Sequence, residues 1–311
     1  MKKYGVLKLK KNKIIKSVFL ILSIFIFSCK SAPKDSSIPV NAIDTLDDKG
    51  ALYIHIPKNN NEKLLSSFVQ QLYQNLSKET SDLIVSNLDN VYASFGGIKN
   101  KSRFQVAADG KIPKATTSLL KKNGFKENSY TATSLINKST IFTYLDDSKL
   151  QLATIENDKL IISNSINQML DTYNIQKEIL NTPNLEIDER VVNTSWKESD
   201  LYNWIDNKDS SINFYIVRPQ AFLTNLIGSA ISTKLFKLVY AKGKFNKLDD
   251  SYYGLDLELE FINPSFVKPA VSILILTLGL TDSEVVNTSS THVVVKGVRI
   301  NSKQLINMLG I

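Results

Sequence analysis

The sequence predicts an α+β fold made of two tandem two-layer units, each an antiparallel sheet with helices on one face. Three observations support this prediction: short strands follow one another as hairpins, helical stretches separate the hairpins, and the same order of signals occurs twice. Hairpins produce antiparallel pairing, and an antiparallel sheet commonly packs one of its faces against helices.

The repeat is visible as short motifs that recur in the same order. The matched pairs are Tyr53-Ile-His-Ile-Pro57 with Tyr215-Ile-Val-Arg-Pro219, Val91-Tyr-Ala93 with Val239-Tyr-Ala241, and Asn164-Ser165 with Asn301-Ser302. In each copy the proline ends a strand and can start a helix, because proline lacks a backbone donor and fits the first helical turn. We therefore assign residues 51–180 to a first unit, 181–208 to an inter-repeat segment and 209–311 to a second unit.

The elements between these motifs also correspond. A helical stretch follows each first strand, and a second strand and another helix come later in each copy. The corresponding stretches are Glu62–Leu76 with Gln220–Leu235 for the helix, and Arg103–Ala108 with Tyr252–Phe261 for the strand. The Asn-Ser pairs are suitable N-caps for a last helix. The first copy has an additional strand pair, near Thr140–Tyr144 and Leu150–Ile155, joined by a polar turn.

The first 28 residues are predicted to be an export signal. Seven lysines and no acidic residue precede an apolar run from Val18 to Phe27, and the small residue Ser28 follows it. A basic region, a short apolar region and a small residue before the cleavage site are typical of such signals. The apolar run is too short to cross a bilayer, which takes about 20 residues.

Cys29, the only cysteine of the chain, comes directly after this segment. Together with Ile26 and Ser28 it resembles the lipobox of bacterial lipoproteins, in the relaxed form of spirochaetes. The resemblance implies a diacylglyceryl thioether on Cys29, cleavage before it and acylation of the new amine, so that lipid holds the protein on a membrane of the cell envelope. Lys30 differs from the aspartate that retains lipoproteins in the inner membrane of enteric bacteria, which by analogy favours the outer membrane.

We predict that residues 29–50, polar and without periodicity, form the lipidated cysteine and a flexible tether.

The net charge gives no argument for nucleic-acid binding. The whole sequence has a formal charge of +8, and loss of the seven signal lysines leaves +1. The basic character belongs to the signal, so we expect no nucleic-acid partner. With Cys29 lipidated, no thiol remains for a disulfide, a metal site or a nucleophile.

Residues that could support catalysis are few in this sequence. His55 and His292 lie in predicted strands of different halves, without a cysteine or HxxxH partner nearby. The sequence contains no GxSxG, Walker loop, HExxH or GxGxxG motif after a strand. We therefore expect no catalytic residue, no metal and no cofactor. Paired carboxylates can be assembled by any fold, which leaves an envelope hydrolase as a third alternative.

An acidic row lies on one face of the predicted strand that ends at Phe261. Its members are Asp256, Glu258 and Glu260. They alternate with apolar residues, as in a half-buried strand. If the preceding turn centres on Asp249-Asp250, Lys244 lies close to Asp256 and Lys242 close to Glu258. Such cross-strand charge pairs are predicted in preference to a cation site.

Two further features leave alternatives open. The segment Val271–Leu280 is almost wholly apolar, which predicts a fully buried helix or one wall of a lipid cavity. Trp196 and Trp204 lie in the inter-repeat segment at a spacing that places them on one side of a helix. They are candidates for binding, either of a ligand or between the two repeats.

These observations predict a membrane-anchored envelope lipoprotein that acts without catalysis, as a binding or scaffolding module. The alternative is a carrier of an apolar ligand such as a lipid, held in a cavity between helices and sheet. The expected partners are the membrane, through the lipid on Cys29, and an envelope protein or lipid.

Lipidation of Cys29 is directly testable. When cells are labelled with a clickable palmitate analogue, the wild-type protein should take up label and Cys29→Ala should not, because the thioether and the processed amine both require this cysteine. Equal labelling of the two proteins would contradict the assignment.

Overall fold

A computed structural model provides the structure of the chain. It describes residues 40–72, 77–96, 103–113, 116–122, 125–131, 138–144, 151–156, 158–181, 199–207, 209–217, 219, 222–223, 226, 236–278, 285–287 and 289–308. The predicted signal, Cys29 and Trp196 lie outside the described residues. So does most of the predicted helix Gln220–Leu235.

The described chain forms strands throughout its length. They are β1 (Leu52–Pro57), β2 (Leu88–Phe95), β3 (Phe104–Gly110), β4 (Phe125–Thr131), β5 (Lys138–Tyr144), β6 (Gln151–Ile155), β7 (Lys159–Ser163), β8 (Ile212–Ile216), β9 (Leu238–Lys247), β10 (Tyr252–Phe261), β11 (Val285–Asn287) and β12 (His292–Asn301). The additional strand pair predicted for the first copy is confirmed as β5 and β6.

Helices stand between the hairpins, as predicted. They are α1 (Glu62–Leu72), α2 (Lys78–Ser86), α3 (Thr116–Lys122), α4 (Ile166–Asn181), α5 (Asp200–Ile205), α6 (Val267–Leu278) and α7 (Ser302–Met308), with 3₁₀ turns at Ala42–Thr45 and Pro264–Phe266. Asn301 caps α7: its side-chain oxygen accepts from the backbone N–H of Gln304 at 2.8 Å, and the Gln304 side chain accepts from the N–H of Asn301 at 3.0 Å. This reciprocal pair satisfies two helix-terminal groups.

All twelve strands form one antiparallel sheet, in the order β11-β12-β10-β9-β8-β1-β2-β3-β7-β6-β5-β4. The α+β class with an antiparallel sheet is therefore confirmed. The two repeats are halves of this single sheet, since residues 39–311 form one compact unit. Outward from the junction of β1 and β8, the order β1, β2, β3, β7 of the first half corresponds to β8, β9, β10, β12 of the second.

The central junction pairs β1 with β8 in register. Leu52 lies opposite Ile216, Ile54 opposite Phe214, and His55 opposite Asn213. Successive side chains of a strand point to opposite faces. We call the face with Ile54 and Phe214 the first face, and the face with Tyr53 and His55 the second face.

A continuous apolar core covers the first face of both halves. Buried side chains of α1, α2, α6 and α7 pack there against the strands, among them Leu65, Val85, Leu274 and Leu305. A smaller core lies on the second face of the first half, where α4 and α5 contribute buried residues such as Leu170 and Ile205.

The second group of helices differs from the prediction of helices on one face. In the first half, strands such as β1 and β7 are buried on both sides, and a strand with two apolar faces requires cover on both. In the second half, β10 alternates between buried and half-exposed residues, so its second face is solvated. The helix after β12 accordingly packs on the first face, whereas the helix after β7 packs on the second.

The tether predicted for residues 29–50 is wrong in its second part. Val40, Ile43 and Leu46 are at most 2% exposed and belong to the second-face core. The folded part therefore starts before the predicted Ala51. We call residues 40–47 the strap.

Acidic side chains of the strap are paired, which explains why its polar composition was misleading. Asp44 accepts from the hydroxyl of Tyr202 at 2.8 Å. Asp47 forms an ion pair with Arg103 and accepts from the side chain of Gln168 at 3.0 Å. Paired carboxylates can be buried where solvated ones cannot.

The expectation of a fully buried helix at Val271–Leu280 is also wrong. Its described part belongs to α6, which buries the stripe Val267, Ala270 and Leu274 against the sheet. Leu276, on another side of the helix, is 83% exposed. One helical stripe is enough to pack on a sheet, so an apolar sequence does not ensure burial on every side.

Gly243 of β9 lies beneath the ring of Phe214 in β8. A Cβ at this position would stand 2.3 Å from the carbonyl oxygen of Asp256 and 2.8 Å from Cζ of Phe214. The Phe214 ring is itself fixed between Phe222 and Phe245, with ring centroids 5.1 Å away in both cases. Glycine is therefore required here by the close approach of a backbone oxygen and a core ring.

We predict that Gly243→Ala lowers the free energy of unfolding by about 1–3 kcal/mol, as expected for overpacking of a core. Urea denaturation measures this change. Gly254→Ala in β10 is the matched control: its Cβ would meet no atom closer than Leu248 Cδ2 at 3.5 Å, an ordinary contact. We expect that control to change stability by less than about 0.5 kcal/mol. Equal losses in both variants would show that the close contact at Gly243 has no energetic effect.

Candidate functional site

Helix α5 lies over the junction of the two halves, on the second face. Ser199 is its N-cap, and the Ser199 hydroxyl accepts from the backbone N–H of Tyr202 at 3.1 Å. Its own residues Tyr202 and Ile205 are buried, and the helix contacts both β8 and β1. The inter-repeat segment predicted from the sequence thus places a helix where the two halves meet.

Trp204 is fixed on this helix by contacts with the second half. Its Nε1–H donates to the carbonyl oxygen of Phe214 at 3.0 Å. The ammonium of Lys242 lies 4.5 Å from the centroid of the indole ring and 3.1 Å from a carboxylate oxygen of Asp200. Trp204 is therefore held between β8, β9 and the start of α5.

Tyrosine hydroxyls connect the same helix to the first half. Tyr202 donates to Asp44 of the strap at 2.8 Å, and Tyr92 of β2 donates to Asp206 at 3.5 Å. Burial and the nearby Asp44 carboxylate raise the pKa of Tyr202, so it stays protonated and acts as a donor. With these contacts α5 touches both halves, while Trp204 itself contacts the second half, and its role in binding a ligand or joining the repeats stays a prediction. Trp196, the other candidate tryptophan, lies outside the described residues.

The two histidines are far apart in the sheet. His55 is on β1 and His292 on β12, with β8, β9 and β10 between them. At about 4.8 Å per strand, this order separates them by roughly 19 Å. They cannot share one ligand, and the described part of the chain contains no group of three or more His, Cys, Asp or Glu residues placed to hold a metal ion.

His55 is enclosed on the second face, next to α5. It is fully buried, its ring stacks on Tyr92 with centroids 4.5 Å apart, and Nε2 lies 3.0 Å from Oδ1 of Asn90. Burial lowers the pKa of His55 below its ordinary value. A neutral imidazole without access to solvent is not placed for acid–base chemistry on a substrate.

The acidic row of β10 is paired in the predicted register. Asp256 lies opposite Lys244, and Glu258 opposite Lys242. The Lys242 ammonium is 3.8 Å from Glu258, and His292 Nε2 is 3.5 Å from the same carboxylate. The predicted charge pair is thereby confirmed for Glu258, whereas Lys244 forms its ion pair with Asp209, at 3.5 Å.

The exposed side of α6 carries one large apolar side chain, Leu276, beside Lys268, Ser272 and Thr277. Leu276 is 83% exposed, and the helix has Lys268 as its one charged residue. Ile262, just before the turn that leads into this helix, is 64% exposed. None of the helices in the described part of the chain combines the length and hydrophobicity that a membrane span requires.

Sequence reasoning missed the strap as part of the site. Its contacts with α4 and α5 involve Asp44 and Asp47, which looked like solvated acids of a tether. One signal was present: Val40, Ile43 and Leu46 recur at intervals of three residues. This spacing is typical of a short helical turn that packs one side on a core.

We predict that Trp204→Phe lowers the free energy of unfolding by about 1–2 kcal/mol, because it removes the indole donor and part of the buried ring. Thermal or urea unfolding measures the loss. Asn203→Ala, on an exposed position of the same helix, should change stability by less than about 0.5 kcal/mol. If both variants are as stable as the wild type, Trp204 does not fasten α5 to the sheet.

Comparison with solved structures identifies similar folds. Crystal form I of TP0453 matches with a TM-score of 0.60 at 14% identity, over 88% of this chain and 98% of that chain. Crystal form III gives 0.59 at 15% identity, over 87% and 98%, and crystal form IV gives 0.57 at 15% identity, over 88% and 98%. At these identities the likeness shows the fold alone.

The family is shown by the sequence itself. Comparison with curated proteins finds no match. A family model described as outer membrane-associated lipoprotein TP0453 matches residues 37–306, which is most of the chain. The chain therefore belongs to the TP0453 family of outer membrane-associated lipoproteins.

Proposed function

We propose that the protein is a non-catalytic binding module, anchored to the outer membrane by lipid on Cys29, that contacts the bilayer surface with the exposed side of α6. The observation that supports this proposal most directly is the 83% exposure of Leu276 on an almost uncharged apolar helix. The free energy falls when a partner removes an exposed apolar residue of such a helix from water.

The bilayer is the occupant that the other features favour. Membership of an outer membrane-associated lipoprotein family supports a location at a membrane. A lipid on Cys29 would keep that membrane at a high effective concentration, so even a weak second contact becomes occupied. Lys268 is exposed on the same helix, and a cation beside apolar groups favours an anionic lipid surface.

The non-catalytic assignment is supported by the arrangement of the reactive groups. His55 is buried and uncharged, while His292 lies beside Glu258 at the far end of the sheet. Lys242 and Lys244 pair with neighbouring carboxylates in the described structure. In the described part of the chain, these paired groups are placed to stabilise a surface and not to act as a nucleophile or base on a substrate.

We predict that Leu276→Ser weakens binding of the unlipidated mature protein to anionic vesicles by about tenfold or more, since a buried leucine contributes roughly 1.5–3 kcal/mol. Co-sedimentation with phosphatidylglycerol vesicles measures the binding. Thermal stability should stay unchanged, because the side chain makes little contact within the protein. The matched control is Ser272→Ala, one turn earlier on the same exposed stripe, which should bind as the wild type does.

The outcomes separate the proposed function from its alternatives. Equal vesicle binding by Leu276→Ser and wild type would contradict the contact through α6. A lipid that co-purifies in native mass spectrometry, together with unchanged vesicle binding, would favour the carrier. Retention of an envelope protein that depends on Leu276, without vesicle binding, would favour a scaffold for a protein partner.

A further inference from the structure

His55 has an unusual position at the junction of the two halves. It lies on β1, opposite Tyr92 of β2 on one side and opposite Asn213 of β8 on the other. Its Nε2 is 3.0 Å from Oδ1 of Asn90. An amide oxygen can only accept, so Nε2 holds the proton of the neutral ring and Nδ1 presents a lone pair.

Two buried acceptors face this spot without a donor. Neither Nδ1 of His55 nor Oδ1 of Asn213 has a hydrogen-bond partner among the described residues. Both residues are at most 1% exposed. Directly opposite residues of neighbouring strands have Cβ atoms about 4.5–5.5 Å apart, so these two buried side chains are neighbours at one site on the second face. A proton bound at Nδ1 would supply a donor to that site.

Among the described residues, the charged groups near the ring lie in the connection from α5 to β8 and on β3. Asp206 and Asp209, in the connection from α5 to β8, favour the imidazolium, as does the backbone of Asn207. Tyr92 stacks on the ring from β2, and Asp109 of β3 lies near that tyrosine. Burial opposes the charge and has the largest effect, so the pKa of His55 is lowered.

We propose that His55 is a proton-binding site that couples pH to the docking of α5 and its connection to β8 on the junction of the two halves. The connection places its described residues Asp206, Asn207 and Asp209 beside the ring. When it lifts away, water reaches the ring and an imidazolium can be hydrated. The inference is independent of the membrane contact through α6.

The direction of the response follows from the pKa. The docked form has a pKa below the ordinary 6.5, whereas the undocked form titrates near it. The docked form thus binds fewer protons, and its stability is fully present above about pH 6.5 and falls as the pH drops below that value. Each unit of pH in this window changes the ratio of docked to undocked protein by up to about tenfold, until the docked form titrates as well.

Titration of Asp109 changes stability with pH in the opposite direction and has to be distinguished from that of His55. Burial raises the pKa of Asp109 to about 6, so protonation as the pH falls through about 6 favours the folded form. Its carboxylate accepts from the backbone of Ala42 in the strap and faces Lys159. Its titration therefore affects the stability of the strap, whereas hydrogen exchange in α5 measures the effect of His55.

Amide hydrogen exchange on the full-length lipoprotein in detergent micelles tests the proposal. We expect peptides covering residues 199–207 to lose protection by about tenfold between about pH 7.5 and 5.5, after correction for the intrinsic rate. His55→Gln should abolish this dependence. His292→Gln and Asp109→Asn, the controls for the second histidine and for the strap carboxylate, should retain it. The same dependence in His55→Gln, or none in the wild type, would overturn the proposal.

A second measurement needs no substitution, which matters if His55→Gln does not fold. Exchange of the imidazole C2 hydrogen, followed by mass spectrometry, gives the titration midpoint of His55 in the wild-type protein. We expect a midpoint below 6.5 that accompanies the loss of protection in α5. A midpoint at or above 6.5, or one reached while α5 stays protected, would refute the coupling.

Discussion

The antiparallel pairing of β1 with β8 is the constraint on which the rest of the structure depends. These two short strands join the halves into one sheet, and the next three strands on each side, β2, β3, β7 and β9, β10, β12, follow outward from them in corresponding order. Because a shift of one residue would exchange the two faces, their register fixes which side chains enter each core. Ile54 and Phe214 therefore enter the first-face core together, while Tyr53 and Tyr215 lie together on the second face.

The two faces have different chemistry as a consequence. The first face is closed by apolar packing in the described parts of both halves, with glycine at position 243 where a ring and a backbone oxygen leave no room. The second face, above the junction, is closed by a helix and a strap that combine apolar packing with buried polar pairs, such as Tyr202 with Asp44. Apolar packing is insensitive to pH, whereas an imidazole, and a carboxyl whose pKa burial raises to about 6 as at Asp109, can change charge near neutrality. This contrast is why a proton response is expected on one face only.

The surface that remains after these faces are closed agrees with a protein that works beside a membrane. Its family is that of an outer membrane-associated lipoprotein, and α6 keeps an apolar side chain in water at its C-terminal end. The proposed contact and the proposed proton site lie on different elements, α6 on the first face and His55 on the second. Binding and regulation are thereby assigned to separate groups, which can be changed one at a time.

The sequence by itself determined the class of fold, the hairpins and helix starts, and the charge register of β9 and β10. These features depend on neighbours along the chain: alternation, a proline after a strand, Asn301 as a cap, and a turn that places Lys242 opposite Glu258. Tertiary structure alone decided three others. It joined the repeats into one sheet, buried the strap by pairing Asp44 and Asp47 with distant residues, and left Leu276 exposed although its helix is apolar. Each of these depends on which surfaces meet across the fold, and composition and local periodicity do not encode that meeting.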